Sequence, residues 1–196
     1  MECRVFFDAL PVDRPDVKNR AALIDGKFAD GHCEAQSVSS SSPGVVRDDE
    51  FMHRFVFSPV HMDGDRVKTA FFSDCQYGGL SCQRSTEQVA NYRIHERGQM
   101  MVTMYNEASN DPGDSRSYLG VVSANCGDVR HLRPRAGVAD QAGVWDQAMM
   151  AVYDTAKAGD EEHIDVFQLA VGRRKSDLKQ ARRDLALVFT DTPSQN

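Results

Sequence analysis

The feature that most constrains the fold of this chain is a series of six short apolar or alternating runs. Each is bounded by Gly, Pro, Asn or Asp, and they cover residues 52–57, 66–72, 99–105, 118–123, 147–153 and 163–171. Runs of this length and period are typical of strands with one buried face. Six such strands predict a mainly antiparallel sheet.

Helical patterns accompany the strands. Near the C-terminus Ser176 is placed to cap a helix whose apolar stripe lies opposite its basic residues. The stripe consists of Leu178, Ala181, Leu185 and Val188. The residues 85–88 have capping-box spacing and predict a second helix that continues through Tyr92. The predicted fold class is therefore α+β, with about six strands and a C-terminal helix packed on the sheet.

Three segments organise the chain. Residues 1–30 contain a predicted strand at Cys3–Phe7 and a helical pattern from Val17 to Phe28, and are too few to enclose a core of their own. Residues 31–50 are rich in serine and glycine, which predicts a linker or a long mobile loop. Residues 51–196 form the predicted main α+β domain.

Composition points to a cytoplasmic protein that does not enter a membrane. The chain is 41% hydrophobic, and no stretch approaches the roughly 20 apolar residues that cross a bilayer. Glu2, Arg4 and Asp8 lie where a signal peptide needs an apolar core. The cysteines are odd in number and scattered, at Cys3, Cys33, Cys75, Cys82 and Cys126. This pattern predicts reduced thiols.

Positive charge is concentrated in the C-terminal helix, although the formal net charge of the chain is −6. The basic residues are Arg173, Arg174, Lys175, Lys179, Arg182 and Arg183. Such a helix face can bind nucleic acid or an acidic protein, or simply be solvated. No aromatic residue is interleaved to stack on a base, which disfavours binding of single strands.

Motifs of the common cofactor and metal classes are missing from the sequence. It contains no dinucleotide-binding glycine motif, phosphate-binding loop, zinc-protease or nucleophile-elbow signature. The acidic run at His61–Asp65 fits a hairpin turn. His32, Cys33, Cys75 and Cys82 lack the close pairs of structural zinc sites. We therefore expect no cofactor and no metal.

Short motifs in the main domain resemble a group of small uncharacterised bacterial proteins. They lie at residues 54–59, 69–74, 79–82, 152–154 and 163–164. The resemblance covers about residues 52–170 and implies one domain, without an activity. It draws attention to Arg54, Asp74, Ser81 and His163.

Arg54, Ser81 and Glu161 or Glu162 also resemble, in chain order, the residue set of ADP-ribosyltransferase-like folds. There arginine and serine place a nicotinamide dinucleotide, and glutamate holds the ribose. Independently, a rigid guanidinium on a half-buried strand is suited to bind a carboxylate or a phosphate. Three acids directly precede His163 and would favour its protonated form, which suits a general acid.

Three functions remain open from the sequence. The first is an accessory protein that docks on a protein partner through residues 1–50. The alternative is a small enzyme for a phosphate-bearing or nucleotide substrate. In it Arg54 and Ser81 bind the substrate, His163 is acid or base, and Glu161 or Glu162 orients ribose or water. The third is a nucleic-acid regulator that uses Arg174, Lys179, Arg182 and Arg183.

Overall fold

The computed structural model describes residues 3–13, 15–28, 31–133, 148–169, 174–190 and 192–195. Its strands are β1 (Phe51–Ser58), β2 (Met62–Asp63), β3 (Arg66–Val67), β4 (Leu80–Ser85), β5 (Ser117–Asn125), β6 (Met150–Tyr153) and β7 (His163–Gln168). Its α-helices are α1 (Cys3–Asp8), α2 (Arg20–Phe28), α3 (Tyr92–Ala108), α4 (Cys126–Arg130) and α5 (Lys175–Val188). Gln147, Val171 and Arg173, which enter the sequence predictions, lie outside the described residues.

The main sheet has five antiparallel strands in the order β5-β1-β4-β7-β6. The α+β class is therefore confirmed, although two predicted strands, at residues 66–72 and 99–105, are missing from this sheet and β4 was not among the six predicted runs. Strands β2 and β3 form a separate hairpin, and Gly64 between them has φ 62°. The run at residues 66–72 is a strand only at Arg66–Val67 and continues as a 3₁₀ helix at Thr69–Gln76.

One face of the sheet carries the larger apolar core. Met52 and Val56 of β1 and Leu80 of β4 point to this face and are fully buried. Helix α5 covers them with Ala181 and Leu185. This confirms the packing of the C-terminal helix, because its predicted apolar stripe meets the sheet. The helix begins without a side-chain cap, so the predicted role of Ser176 is wrong.

The opposite face is covered in two separate places. Helix α3 lies on β1 and β5, where Val102 packs with Phe57 and Tyr118. The N-terminal helices lie on β6 and β7, where Ile24 and Phe28 are buried with the side chains of those strands. Between the two layers, β4 and the start of β7 leave part of their face uncovered. This gap positions the candidate site described below.

Two sequence predictions around helix α3 are wrong: the strand at residues 99–105 and the helix that begins at residues 85–88. The run at residues 99–105 is helical, because Ile94, Gly98 and Val102 recur every four residues and bury one face of a 17-residue helix. Asn91 caps it through Oδ1, which accepts a hydrogen bond from the Ile94 amide. The capping box at residues 85–88 starts no helix, since the Ser85 hydroxyl accepts the Glu87 amide in a local turn.

The N-terminal segment also differs from its prediction. Cys3–Phe7 is helical rather than extended, because burial of Cys3 and Phe7 on one side of α1 favours a helical repeat. The Phe7 ring lies 4.8 Å from the ring of Tyr153 in β6. The buried apolar residues of this segment therefore pack against the sheet of the same chain.

The serine-rich segment is tied to the same edge of the sheet. The Ser37 hydroxyl and the Val38 amide both donate to Asp154, at 2.5 and 2.8 Å. The Ser39 hydroxyl donates to the Ala156 carbonyl oxygen at 2.6 Å. These bonds give a segment of low apolar content a defined position beside β6.

Two of the five cysteines are not free thiols, so the prediction of reduced cysteines is wrong for this pair. Cys3 and Cys33 form a disulfide across 30 residues. Packing of α1 beside the 3₁₀ segment His32–Ala35 brings the two cysteines together. The spacing of the cysteines in the sequence does not indicate this pairing. Cys75, Cys82 and Cys126 are buried free thiols, as predicted.

Close packing of α3 on β5 leaves no room for a Cβ atom at Gly98 without movement of its neighbours. A Cβ at Gly98 would lie 2.5 Å from the ring of Tyr118, which is buried. We expect Gly98→Ala to lower the free energy of unfolding by about 1–3 kcal/mol, because α3 or Tyr118 must move. Gly26→Ala in α2 is the matched control, since its Cβ meets nothing within 4 Å. Equal urea midpoints for the two variants would contradict this expectation.

A buried histidine makes stability depend on pH. His53 is fully buried, with its ring nitrogens 2.7 and 2.9 Å from the hydroxyls of Ser123 and Ser85. Burial lowers the pKa of His53 from 6.5 to about 4. The unfolded chain therefore binds a proton between these values that the native state does not bind. Stability is full above pH 6.5 and falls as the pH drops towards 4.

We expect His53 to account for a loss of about 2 kcal/mol between pH 7 and pH 5. Urea denaturation of the wild type and of His53→Asn at both pH values measures this contribution. The variant should be less stable at pH 7 and should lose less on acidification. His131→Ala, at an exposed site, is the control and should follow the wild type. An identical pH dependence in His53→Asn would exclude His53 as the cause.

Candidate functional site

A cleft of about 570 Å³ opens on the uncovered part of the sheet, between α3 and the loop that joins β6 to β7. Its volume lies in the range of small-molecule sites. Ser81, Gln83 and His163 form its floor, and side chains of α3 form one wall. Arg54, Ser81 and His163, all singled out from the sequence, line this one cleft.

The floor contains a hydrogen-bonded group centred on Asp165, a buried residue of β7. Ser81 faces Asp165 across the β4–β7 pairing, and its hydroxyl donates to Asp165 Oδ1 at 2.9 Å. The Thr155 hydroxyl donates to Oδ2 at 2.9 Å. Ser81 is exposed although it lies in a central strand. Its oxygen lone pairs therefore remain available to a ligand.

The environment of His163 defines its tautomer. Its Nδ1 lies 3.1 Å from the carbonyl oxygen of Thr155, and a carbonyl can only accept a hydrogen bond. Nδ1 therefore carries the proton in the neutral ring. The Thr155 hydroxyl, also 3.1 Å from Nδ1, already donates to Asp165 and so accepts as well. On the neutral ring the lone pair that a base requires is then on Nε2, which lies 3.9 Å from Asp165 Oδ1.

The wall formed by α3 is apolar and flexible. Met100, Met104 and Tyr105 line the cleft and are exposed by 53%, 61% and 44%. Phe55 of β1 continues the apolar surface at the back. Methionine side chains adapt to irregular and aromatic surfaces. This wall can therefore pack against a flat apolar group of a ligand.

The cleft carries an excess of positive charge. Arg97 of α3 pairs with Asp160 at 2.6 Å, which links the two sides of the cleft. Arg116 and Lys157 also line it, and among the residues that the structure describes neither has an acidic partner. The Arg116 guanidinium lies over the Tyr105 ring, 4.5 Å from its centre. Two unneutralised cations beside an apolar wall favour an anionic ligand.

His61 adds a neutral donor to the same cleft. Its Nδ1 accepts the Phe57 amide at 3.0 Å, so the neutral ring carries its proton on Nε2. Burial, then the nearby cation of Arg54, lowers the pKa of His61 from 6.5 to about 4. His61 is therefore neutral near pH 7 and offers an N–H group without a charge.

Arg54 lines the cleft, but partners inside the chain occupy its terminal nitrogens. Nη1 donates to the Ser81 carbonyl oxygen, and Nη2 donates to the Phe71 carbonyl oxygen and to Asp74 at 2.7 Å. The guanidinium also lies 4.3 Å from the centre of the Phe71 ring. Arg54 therefore connects β1, β4 and the 3₁₀ helix Thr69–Gln76. Binding of a substrate anion by Arg54 remains a prediction.

Glu161 and Glu162 are exposed in the turn before β7 and do not line the cleft. The Glu162 carbonyl oxygen accepts the Arg84 amide at 2.8 Å, which extends the pairing of β4 and β7. The Glu161 carboxylate accepts the Gly159 amide. The structure thus brings the predicted arginine and serine together and leaves both glutamates apart from them. It does not assemble the set that resembles ADP-ribosyltransferase-like folds.

The basic helix face on α5 lies away from the cleft. Arg174 pairs with Asp177 on the same helix, and Arg182 donates to the Gln168 side chain at 3.0 Å. Lys179 and Arg183 are exposed. Nucleic-acid binding by this face stays a prediction.

The free cysteines are unsuited to nucleophilic chemistry. Burial raises the pKa of Cys75, Cys82 and Cys126 from 9.0 to about 12 in each case. A thiol needs a low pKa to form the reactive thiolate near neutral pH. Serine and histidine are therefore the candidate reactive groups of the cleft.

Sequence reasoning missed several residues of this site. Asp165 was detectable, because aspartate is rare within strands and here alternates with Ile164 and Val166 on the opposite face. Thr155 gave no local signal. Arg116 and Lys157 were also missed, because only the packing of α3 across the sheet brings them to one cleft.

Comparison with known proteins gives no match: no family description, curated protein or solved structure is similar to the chain. The resemblance to small bacterial proteins therefore stays a prediction. In the described ranges, no helix combines the length and apolar character that a membrane crossing requires.

Proposed function

We propose that the protein is an enzyme that hydrolyses a small phosphoester with a flat apolar group, of the nucleotide class. The observation that carries this proposal is the exposed hydroxyl of Ser81, bonded to buried Asp165 in the same cleft as His163, whose Nδ1 lies against the Thr155 carbonyl oxygen. Ser81 and His163 line a cleft large enough for such a substrate, and buried Asp165 bonds to Ser81.

Charge supports a phosphate-bearing substrate. Arg116 and Lys157 provide two cations, and His61 provides a neutral N–H donor in the same cleft. A phosphate oxygen can accept charge-assisted hydrogen bonds from both cations. The pairing of Arg97 with Asp160 cancels their charges, so the excess comes from Arg116 and Lys157.

The apolar wall supports a flat group attached to that phosphate. Met100, Met104 and Tyr105 present exposed apolar surface to the cleft instead of to the core. A base or another aromatic ring would cover this surface and gain contact area with the thioethers. The cleft thus has a charged half at Arg116 and Lys157, which suits the phosphate. Its apolar half is the wall of Met100, Met104 and Tyr105, which suits the ring.

His163 provides the base. A water molecule attacks phosphorus and gives its proton to His163 Nε2. The bond between phosphorus and the ester oxygen breaks, and that oxygen leaves with the electron pair. Because the Ser81 hydroxyl donates to Asp165, its oxygen accepts a hydrogen bond from a hydroxyl group of the substrate. Asp165 and Thr155 act as positioning residues, since they orient Ser81 and the ring of His163.

Calorimetric titration with three probes tests the binding step. We expect adenosine 5′-monophosphate to bind more tightly than either adenosine or inorganic phosphate, because only the monophosphate fills both halves of the cleft. Replacing both Arg116 and Lys157 by alanine should weaken the binding of the monophosphate by about tenfold or more, since each charge-assisted hydrogen bond contributes roughly 1.5–3 kcal/mol. The affinity for adenosine should stay unchanged.

Alanine at both Lys179 and Arg183 is the matched control, because it removes two exposed cations from α5 instead of from the cleft. This control should bind the monophosphate like the wild type. Equal binding of adenosine and its monophosphate, or equal weakening by the two double variants, would exclude the phosphate subsite.

A further inference from the structure

The N-terminal layer contains a second group of residues with chemistry of its own. Among the described residues, Cys3, His32 and Cys33 form a cluster in which the ligand-type atoms all lie within 4.8 Å of one another. Two separate segments contribute to it, α1 and the 3₁₀ helix that begins at His32. The cluster lies apart from the cleft and takes no part in the proposed hydrolysis.

Two cysteines and one histidine are a ligand set suited to zinc. Zn²⁺ accepts thiolate sulfur and imidazole nitrogen in tetrahedral sites, and three protein ligands with one water are common. The Cα atoms of Cys3 and Cys33 lie 5.8 Å apart, so both thiolates can reach one ion without a large movement of either segment. His32 is exposed and gives the site contact with solvent.

Charge balance favours such a site in this location. Cys3 and Cys33 are 2% and 0% exposed, among the rings of Phe6, Phe7 and Phe28. Two buried thiolates alone would be strongly unfavourable in apolar surroundings. Zn²⁺ with two thiolates and a neutral imidazole has no net charge. Its burial therefore avoids the desolvation cost of an isolated ion.

We propose that, when the disulfide is reduced, Cys3, Cys33 and His32 bind one zinc ion, with water as the fourth ligand. Reduction by a dithiol or a phosphine adds two electrons and two protons and gives two thiols. Zinc then displaces both thiol protons. Disulfide and metal exclude each other, because each uses both sulfur atoms. Either one links α1 to the segment that follows α2.

Native mass spectrometry of the full chain with added Zn²⁺ tests this site. We expect one zinc ion per chain after phosphine reduction and none in the oxidised protein. Titration with Co²⁺ should give the near-ultraviolet absorption of thiolate bound to cobalt. His32→Ala should weaken Zn²⁺ binding by about tenfold or more, because it removes one of three protein ligands.

His32→Ala leaves the disulfide intact, so its oxidised form should keep the wild-type melting temperature and show that the variant folds. Cys126→Ala and His131→Ala are matched controls outside the cluster and should bind zinc like the wild type. Absence of zinc in the reduced wild type would overturn the proposal. So would equal weakening by His32→Ala and His131→Ala, or loss of the cobalt band in Cys126→Ala.

Discussion

His163→Ala is expected to lower kcat for the hydrolysis of p-nitrophenyl phosphate by about 10²–10⁴-fold, the usual contribution of a general base. This probe combines a flat ring with a phosphate, as the cleft requires. The melting temperature should change little, because the hydrogen bonds of the His163 side chain go to Thr155, its Nε2 lies 3.9 Å from Asp165 Oδ1, and it borders the open cleft. Water can replace it as the partner of the Thr155 carbonyl oxygen.

His131→Ala is the matched control, since His131 is exposed at the end of α4 and does not line the cleft. Release of p-nitrophenolate gives kcat, and a thermal scan of the same samples gives the melting temperature. An unchanged kcat in His163→Ala would exclude His163 as the base. A wild type that binds adenosine 5′-monophosphate but leaves the aryl phosphate intact would exclude the hydrolysis and keep the binding site.

Arg54→Ala is expected to destabilise the fold by about 3 kcal/mol. The change removes the donor to the buried carbonyl oxygen of Phe71 and the donor to the part-buried carbonyl oxygen of Ser81. It also removes the contact of the guanidinium with the Phe71 ring. For a chain of this length the melting temperature should fall by roughly 6–12 °C.

Two further variants sharpen this test. Arg54→Lys keeps the charge but cannot donate to all three acceptors, so its loss of stability should be intermediate. Arg47→Ala removes an exposed arginine that pairs with exposed Asp49, and buried Glu50, 3.7 Å from Arg47, keeps its closer partner Arg84; stability should change by less than about 1 kcal/mol. If Arg54→Ala melts like Arg47→Ala, the structural role of Arg54 is excluded and anion binding becomes its best explanation.

The strands of the sheet were the most predictable part of the fold. β1, β5 and β7 follow from alternating runs, because burial of one sheet face imposes a period of two. The same logic failed at residues 99–105, where Met100, Met101 and Val102 resemble a strand. This segment is helical because Ile94, Gly98 and Val102 are spaced four residues apart and are buried on one face of α3.

Part of the site could also be predicted. Arg54, Ser81 and His163 were singled out by the resemblance to small bacterial proteins, and the sheet register places them around one cleft. Glu162 is exposed in the turn before β7 and does not line the cleft, so its predicted role stays a prediction. The exclusion of disulfides failed because Cys3 and Cys33 meet only after α1 has packed on the sheet.

By itself, the sequence determined the α+β class, the amphipathic C-terminal helix and the residue types available for chemistry. These properties follow from the local periodicity of apolar side chains. The tertiary structure decided which of those residues meet. Helix α3 and the N-terminal helices cover separate parts of one sheet face, and the gap between them leaves Ser81 exposed beside Asp165 and His163. Such contacts depend on packing between distant segments, which no local pattern encodes.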